Sequence, residues 1–440
     1  MKKNFTFVFA PTVALAVAVA GFSSCVQNPD GNKTPRKVSK VEELVVPADF
    51  SWKTSVEVAA SFTAGHLSKV ALSLSPSAAP FATFAVGEGA EPVSLSIPAA
   101  VQKLYVSYEK EEGFSTPAEL TVTDGTVAYN VPADAEFYAD VAASGASGTA
   151  NAGKDNGNFP NSKYDPILYP ATGGWGTIMF EDLWPGFGDF DFNDLAINYK
   201  IVLYPNNRNK VRDMDITFRV RSIGGSLPNK LYLRMDGVTG GQMDVYAVSG
   251  DRNTLDEPAA VFLNPAESDK NPAVIRFDGI YRNANAPKGV AYLNTQEGYE
   301  LTDDLLVEAT FRFHFRNSIF QRDVSFDKFN FFIARETESI AGLKEIHGGG
   351  YTPSQYGWEN YNGDKRNKNV DTAEDYFYAN NGLVWMLSVP ADIPHAYENI
   401  DFLKAYPHFR DWAESGGQSH VDWYSDEAGN RVRKNLVGGR

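Results

Sequence analysis

Cysteine is all but missing from this chain. Cys25 is the single one among 440 residues, so no disulfide can close within it. Histidine is scarce as well: six are present, and none forms an HExxH motif or a close ligand pair. A serine elbow, a P-loop and a dinucleotide fingerprint are all absent, which removes several enzyme classes. Positive charge is in deficit, with 40 Lys and Arg against 55 Asp and Glu and a formal charge of −15. No basic stripe with interleaved aromatics appears, so nucleic acid is not an expected partner. One long apolar run exists, Phe5–Ala20, and Pro11 interrupts it. It is too short and isolated for a transmembrane helix.

That run reads as a secretory leader. Lys2 and Lys3 precede it, and Gly21-Phe22-Ser23-Ser24 follows, just before Cys25. Small residues ahead of a cysteine suit a lipoprotein signal peptidase, which leaves an acylated thiol. Residues 1–24 are therefore expected to be a signal peptide and Cys25 the lipidated residue. More than one acyl chain on that residue satisfies the requirement for stable anchoring. Removal of Lys2 and Lys3 with the leader takes the formal charge from −15 to −17. Acidity of this kind suits exposure to solvent and cation binding. The leader resembles that of Bacteroidetes-type bacterial lipoproteins. The resemblance implies the outer membrane as partner; it leaves the face undecided, with the cell surface favoured. Asp30 alone follows Cys25 closely, so no acidic export tag is evident.

Residues 25–40 are rich in Asn, Pro, Gly and Lys and read as a tether. Residues 41–143 carry short alternating segments: Ser55–Phe62, Lys69–Leu74, Val93–Ile97, Lys103–Tyr108 and Glu119–Val131. They predict a small β-sandwich with Trp52, Leu104, Val106 and Val127 in its core. Residues 144–160 are Gly-, Ala-, Ser- and Asn-rich and read as a linker. Strand-like segments recur through 161–424, among them Gly176–Phe180, Leu195–Leu203, Met214–Ser222 and Leu305–Phe315. Ile400–Ala405 and Phe409–Glu414 read as short helices separated by Pro407. The predicted fold is all-β: a small N-terminal β-sandwich, then a larger β-sandwich or jelly-roll with short terminal helices. Trp412, Trp423 and Tyr424 are expected to anchor a terminal cap, with glycan stacking as the other reading. The basic tail, 425–440, is expected to be solvated.

The richest stretch is Gly188–Tyr199, GDFDFNDLAINY. Asp189, Asp191, Asn193 and Asp194 offer four short-armed oxygen ligands in six residues. Phe190 and Phe192 alternate with them and are expected to face the core. Calcium takes six to eight oxygens in a flexible shell. A bound cation also removes the mutual repulsion of the three carboxylates. The spacing is not that of an EF-hand: Asp194 stands at the position of the invariant Gly and Lys200 at that of the terminal Glu. Further ligands must come from elsewhere. Asp182 is the nearest convincing carboxylate, with Glu181 and Asp327 also considered. An acidic turn that caps its own backbone is the alternative. A glycan hydrolase would need a second acid, such as Asp327 or Asp278, across a cleft from Asp189 or Asp191.

Three stretches together carry a family resemblance: Phe180–Tyr199, Gly382–Pro390 (GLVWMLSVP), and Ile400–Tyr424 with KAYPHFRDWAESGG and its closing DWY. Asp327–Ile333 and Glu345-Ile346-His347 add to it. They resemble the LruC domain, a bacterial domain of unknown function found in surface or secreted proteins. Phe50-Ser51-Trp52-Lys53-Thr54 resembles the start of a module often joined to it. The resemblance implies a β-rich extracellular domain with a cation at Asp189, Asp191, Asn193 and Asp194, and it supplies no activity. The expectation is thus a lipid-anchored envelope protein with a structural calcium site that presents loops to a glycan or a host or matrix protein. A structural envelope or fimbria-associated component is the alternative, and a glycan hydrolase the third.

Overall fold

Alternation of apolar and polar residues becomes sheet faces from β1 onward. The computed structural model describes residues 38–138, 166–263, 270–337, 342–364 and 376–439. The expected leader, Cys25, nearly all of the tether and the 144–160 linker lie outside the described residues. In β1 (Ser55–Thr63), Val58 is fully buried while its neighbours Glu57 and Ala59 are not. β2 (Ser68–Ser73), β3 (Ala82–Val86), β4 (Ser94–Pro98) and β5 (Lys103–Lys110) follow. The short β6 (Gly113–Phe114), β7 (Ala118–Thr121) and β8 (Thr126–Asn130) complete this part. The predicted strand Glu119–Val131 is broken because Asp124 and Gly125 both take positive φ and reverse the chain. β1 lies between antiparallel β4 and parallel β8. Phe62 of that sheet meets Phe84 of β3 with ring centroids 5.7 Å apart. Leu104, Val106 and Val127 are buried as expected.

β9 (Ile167–Tyr169) then carries the sheet onward. Ala82 of β3 pairs with Ile167. Beyond it come β10 (Gly176–Phe180), β11 (Leu195–Pro205), β12 (Lys210–Ser222), β13 (Lys230–Thr239) and β14 (Met243–Gly250). β15 (Ala259–Phe262), β16 (Pro272–Asp278), β17 (Ala309–Phe320), β18 (Phe329–Glu336) and β19 (Leu343–His347) follow. Helix α1 (Trp358–Asp364), strand β20 (Met386–Val389) and helices α2 (Phe402–Ala405) and α3 (Phe409–Glu414) close the series. Among the described residues, one 12-stranded sheet has the path β14-β17-β12-β11-β9-β3-β2-β5-β6, with β10 joining β11 to β20 and β7 pairing with β5. A 5-stranded sheet, β15-β16-β13-β18-β19, packs on it. Phe218 of β12 meets Phe277 of β16 edge-on at 4.8 Å, and Phe311 of β17 meets Phe277 at 4.9 Å. Such pairs add about 1 kcal/mol each beyond the area they bury. Segments 41–143 and 161–424 thus share one sheet, and Ser39–Arg440 forms one compact unit.

The ends of this unit meet. Val41 N–H donates to Asp401 Oδ2 at 2.9 Å, and Trp52 Nε1 donates to the Gly382 carbonyl at 2.9 Å. Phe50 packs edge-on against Trp412 at 4.9 Å. Trp412, Trp423 and Tyr424 are buried around α2 and α3, which makes them a cap and not an exposed stacking platform. The tail departs from expectation in part. Leu436 and Val437 are buried, and Val437 N–H donates to the His395 carbonyl, while Arg433 and Lys434 are exposed as expected.

Candidate metal centre

β10 and β11 pair antiparallel, with Phe180 opposite Leu195, so residues 181–194 are the connection of one hairpin. Its first residue, Glu181, is fully buried. The Glu181 carboxylate turns into the loop and accepts N–H bonds from Phe192 at 2.6 Å and Phe190 at 3.3 Å. Phe190 and Phe192 adopt φ of 52° and 55°, and both rings are buried. A bulky residue at positive φ costs on the order of 1–3 kcal/mol. Burial of the two rings and the bonds to Glu181 hold this backbone in place. The phenylalanines do face the core, through left-handed turns and not an extended chain.

Each acid is placed separately. Asp191 is buried; its Oδ1 accepts from Asn193 N–H at 3.1 Å and its Oδ2 from Asn399 N–H at 2.9 Å. Asp189 is exposed at the mouth of the loop. One carboxylate oxygen from each of Glu181, Asp189 and Asp191 lies within 4.8 Å of the others. Asn193 is buried and donates to the Ala396 carbonyl at 3.2 Å, while its Oδ1 has no hydrogen-bond partner. Asp194 Oδ2 accepts from Asp182 N–H at 2.7 Å. Asp182 Oδ2 accepts from Asn229 at 3.2 Å, and a Cβ added to Gly225 would meet both acids, at 2.3 Å from Asp182 Oδ2 and 3.2 Å from Asp194 Oδ1. The structure therefore joins Asp189 and Asp191 with Glu181, and sets Asp182 and Asp194 together beside them.

Glu398 comes from a distant loop, and its Oε2 is buried without a hydrogen-bond partner. Its charge acts on Asp191 and Asp194, and Asp189 acts on it. Nothing in the sequence near the motif points to Glu398. Glu181, in contrast, is the first acid after a legible strand. The same distant loop is tied to the motif by its backbone: Phe402 N–H donates to the Phe190 carbonyl at 2.9 Å.

The electrostatics are one-sided. Burial, then Asp194 and Asp191, holds the Glu181 carboxyl well above the usual range. Asp191 is pushed up to about 9 by burial and then by Asp189 and Glu398. Asp194 is pushed up to about 7 by burial and then by Asp182. Burial also raises Asp182, against the pull of Arg335. Two like charges 4 Å apart repel by about 4 kcal/mol at the effective dielectric of a protein surface. A divalent cation reverses the sign of that term. Calcium–oxygen bonds of about 2.4 Å allow two ligands on one ion to stand up to about 4.8 Å apart. The Glu181, Asp189 and Asp191 oxygens meet that limit, and Asn193 Oδ1 and Glu398 Oε2 are two further buried oxygens without partners.

The acids considered for hydrolysis are engaged elsewhere. Asp278 binds Lys230 at 2.7 Å and Arg276 at 2.8 Å. Asp327 binds Lys328 at 2.9 Å and Ser325.

Comparison with known proteins comes after this geometry. Residues 209–424 match the family described as a domain of unknown function, DUF4842. The match begins downstream of the acidic motif and includes Glu398. No curated protein matches the chain. The fold is similar to the crystal structure of a candidate lipoprotein from Bacteroides ovatus, with a TM-score of 0.55 and 21% identity. That likeness covers 84% of this chain and 98% of the other. At this identity it speaks for the fold alone. Among the described residues, no helix is long and apolar enough to cross a membrane.

Proposed function

We propose that this chain is a lipid-anchored protein of a bacterial outer membrane. In this reading its 181–195 loop holds one calcium ion and presents a surface for adhesion or glycan binding. The buried Glu181 and Asp191 carboxylates, with the exposed Asp189 at their side, carry the proposal, because two buried acids next to a third are unfavourable without a cation. Glu181, Asp189 and Asp191 would ligate directly. Asn193 Oδ1 and Glu398 would complete the shell, and Asp182 and Asp194 would brace the loop. LruC-domain membership is part of the reading, extending the matched region upstream over the acidic motif. The anchor at Cys25 rests on the sequence and accords with the lipoprotein description of the Bacteroides protein.

One exposed aromatic near the loop, Trp358, supports a glycan role, and Tyr361 and Trp184 behind it are buried. Trp184 stacks on Tyr361 at 5.3 Å with planes 6° apart. Trp358 lies 6.1 Å from Tyr361 and is 42% exposed. Sugars stack on such faces through their C–H groups. Calcium titration by calorimetry is the first test, joined to a glycan and matrix-protein array with and without calcium. Absence of calcium-dependent heat, with melting unchanged by chelator, would overturn the metal reading. Calcium binding with an empty array would favour a structural envelope component.

A further inference from the structure

We propose a second metal site, for a first-row transition ion such as zinc, formed by His408, Asp411 and His420. The three residues, three and nine positions apart in the chain, are brought together by the C-terminal cap. His408 is the N-cap residue of α3 and Asp411 lies in its first turn, so helix geometry sets these two on one face. His420 sits in a tight turn at φ 47°, which is pinned by the Trp423 N–H bond to the His420 carbonyl at 2.9 Å. Trp412 and Trp423, both buried, fix the two halves against each other with centroids 5.5 Å apart.

The donor atoms already converge. One ligand atom from each residue lies within 4.8 Å of the others. His408 Nδ1 is 3.6 Å from Asp411 Oδ2, and His420 Nε2 is 3.9 Å from the same oxygen. Both separations are too long for hydrogen bonds. Two zinc bonds of about 2.0–2.2 Å meeting near the tetrahedral angle put ligand atoms about 3.3–3.6 Å apart. The observed spacing is at or just above that, and because the two ring planes are only 10° apart the exposed His420 ring must rotate out of the stack for both in-plane lone pairs to meet one ion. His408 Nδ1 is buried and has no hydrogen-bond partner, so it is left with an unused lone pair or an unused proton. The two imidazole rings stack at 3.9 Å with planes 10° apart, a contact that two imidazolium ions would oppose.

Asp411 is prepared in the same sense. Its Oδ1 is held by Arg410, with Nη2 at 2.8 Å and Nε at 2.9 Å. Oδ2 is left facing the two rings. Such a partner behind a metal-bound carboxylate is a usual orienting device. Two imidazoles and one carboxylate select a borderline-soft ion over calcium. Half-exposure of the trio leaves the fourth position open to water or to a ligand from a partner.

The test is zinc binding to the full chain, read by competition with a chromogenic chelator in excess calcium. The tetrahedral visible bands of cobalt provide a second readout. One tight equivalent is expected. His420→Ala, an exposed change, is expected to weaken it by at least about tenfold, the lower end of what loss of a supporting group costs a metal site. Asp411→Asn is expected to do the same. Asp191→Asn is expected to leave zinc binding intact, which separates this site from the acidic loop. Equal zinc affinity in the wild type and in both His420→Ala and His408→Ala would overturn the assignment. So would the absence of any tetrahedral cobalt spectrum.

Discussion

A Cβ added to Gly224 would stand 1.9 Å from Asn193 Oδ1. The glycine is therefore the wall against which the acidic motif is moulded. Gly224→Ala is expected to push Asn193 out of place and weaken calcium binding by about tenfold or more, measured by calorimetry. Gly237→Ala is the control. Its Cβ would meet the Asp323 carbonyl at 1.9 Å, so it should cost about 1–3 kcal/mol in overpacking whether or not calcium is present.

Glu398 offers a change of opposite sign in the two states. Its carboxylate faces Asp189 and gains no hydrogen bond at Oε2. Glu398→Gln is expected to raise the melting temperature in chelator, because a like charge is removed. It is also expected to reduce the further rise that calcium brings. Thermal melts in chelator and in millimolar calcium check both halves.

His395 sets a pH limit away from either site. Its Nε2 donates to the Asn294 carbonyl at 2.6 Å, and its Nδ1 is buried without a hydrogen-bond partner. Burial, with Arg221 nearby, pushes it down to about 3 from an ordinary 6.5. A folded value below the unfolded one means that the unfolded chain binds more protons between the two. The stabilisation is fully present above about pH 6.5 and is lost as pH falls toward 3, at up to about 1.4 kcal/mol per unit. The difference in unfolding free energy between the wild type and His395→Gln, followed by denaturant from about pH 7.5 to 4.5, should show this slope, separated from the opposite one that the raised Glu181, Asp191 and Asp194 carboxyls contribute.

The buried Glu345 is a structural acid. It accepts from His347 Nε2 at 2.9 Å and from Ser354 N–H at 2.8 Å. Burial holds the His347 imidazole below its usual range. Glu345→Ala strands both donors and should cost about 3–5 kcal/mol, with no change in calcium affinity. Urea denaturation beside calorimetry tests the pair of outcomes.

Strands with one wet face were legible in sequence because their alternation survives. Ser55–Phe62 and Lys103–Tyr108 fall within β1 and β5, where burial alternates. Gly176–Phe180 and Phe409–Glu414 agree residue for residue with β10 and α3, although β10 is buried on both faces. β3 and β19 went unseen: β3 is buried on both faces and shows no period, and β19 is short. The acidic motif was legible because its oxygens are packed into six residues. Glu398, His408 and His420 were not, since only tertiary packing brings each to its neighbours.

Asp401 has a consequence for mechanics. One oxygen of its carboxylate holds Val41 N–H and the other caps α2 through Leu403 N–H at 2.9 Å. The next residue, Phe402, holds the Phe190 carbonyl, and Asn399 holds Asp191. A tug on residue 39 is thus relayed through one side chain to the backbone of the acidic loop. Residue 39 and the loop stand in series along one load path. An ion seated in that loop would stiffen the joint through which a pull on residue 39 is passed.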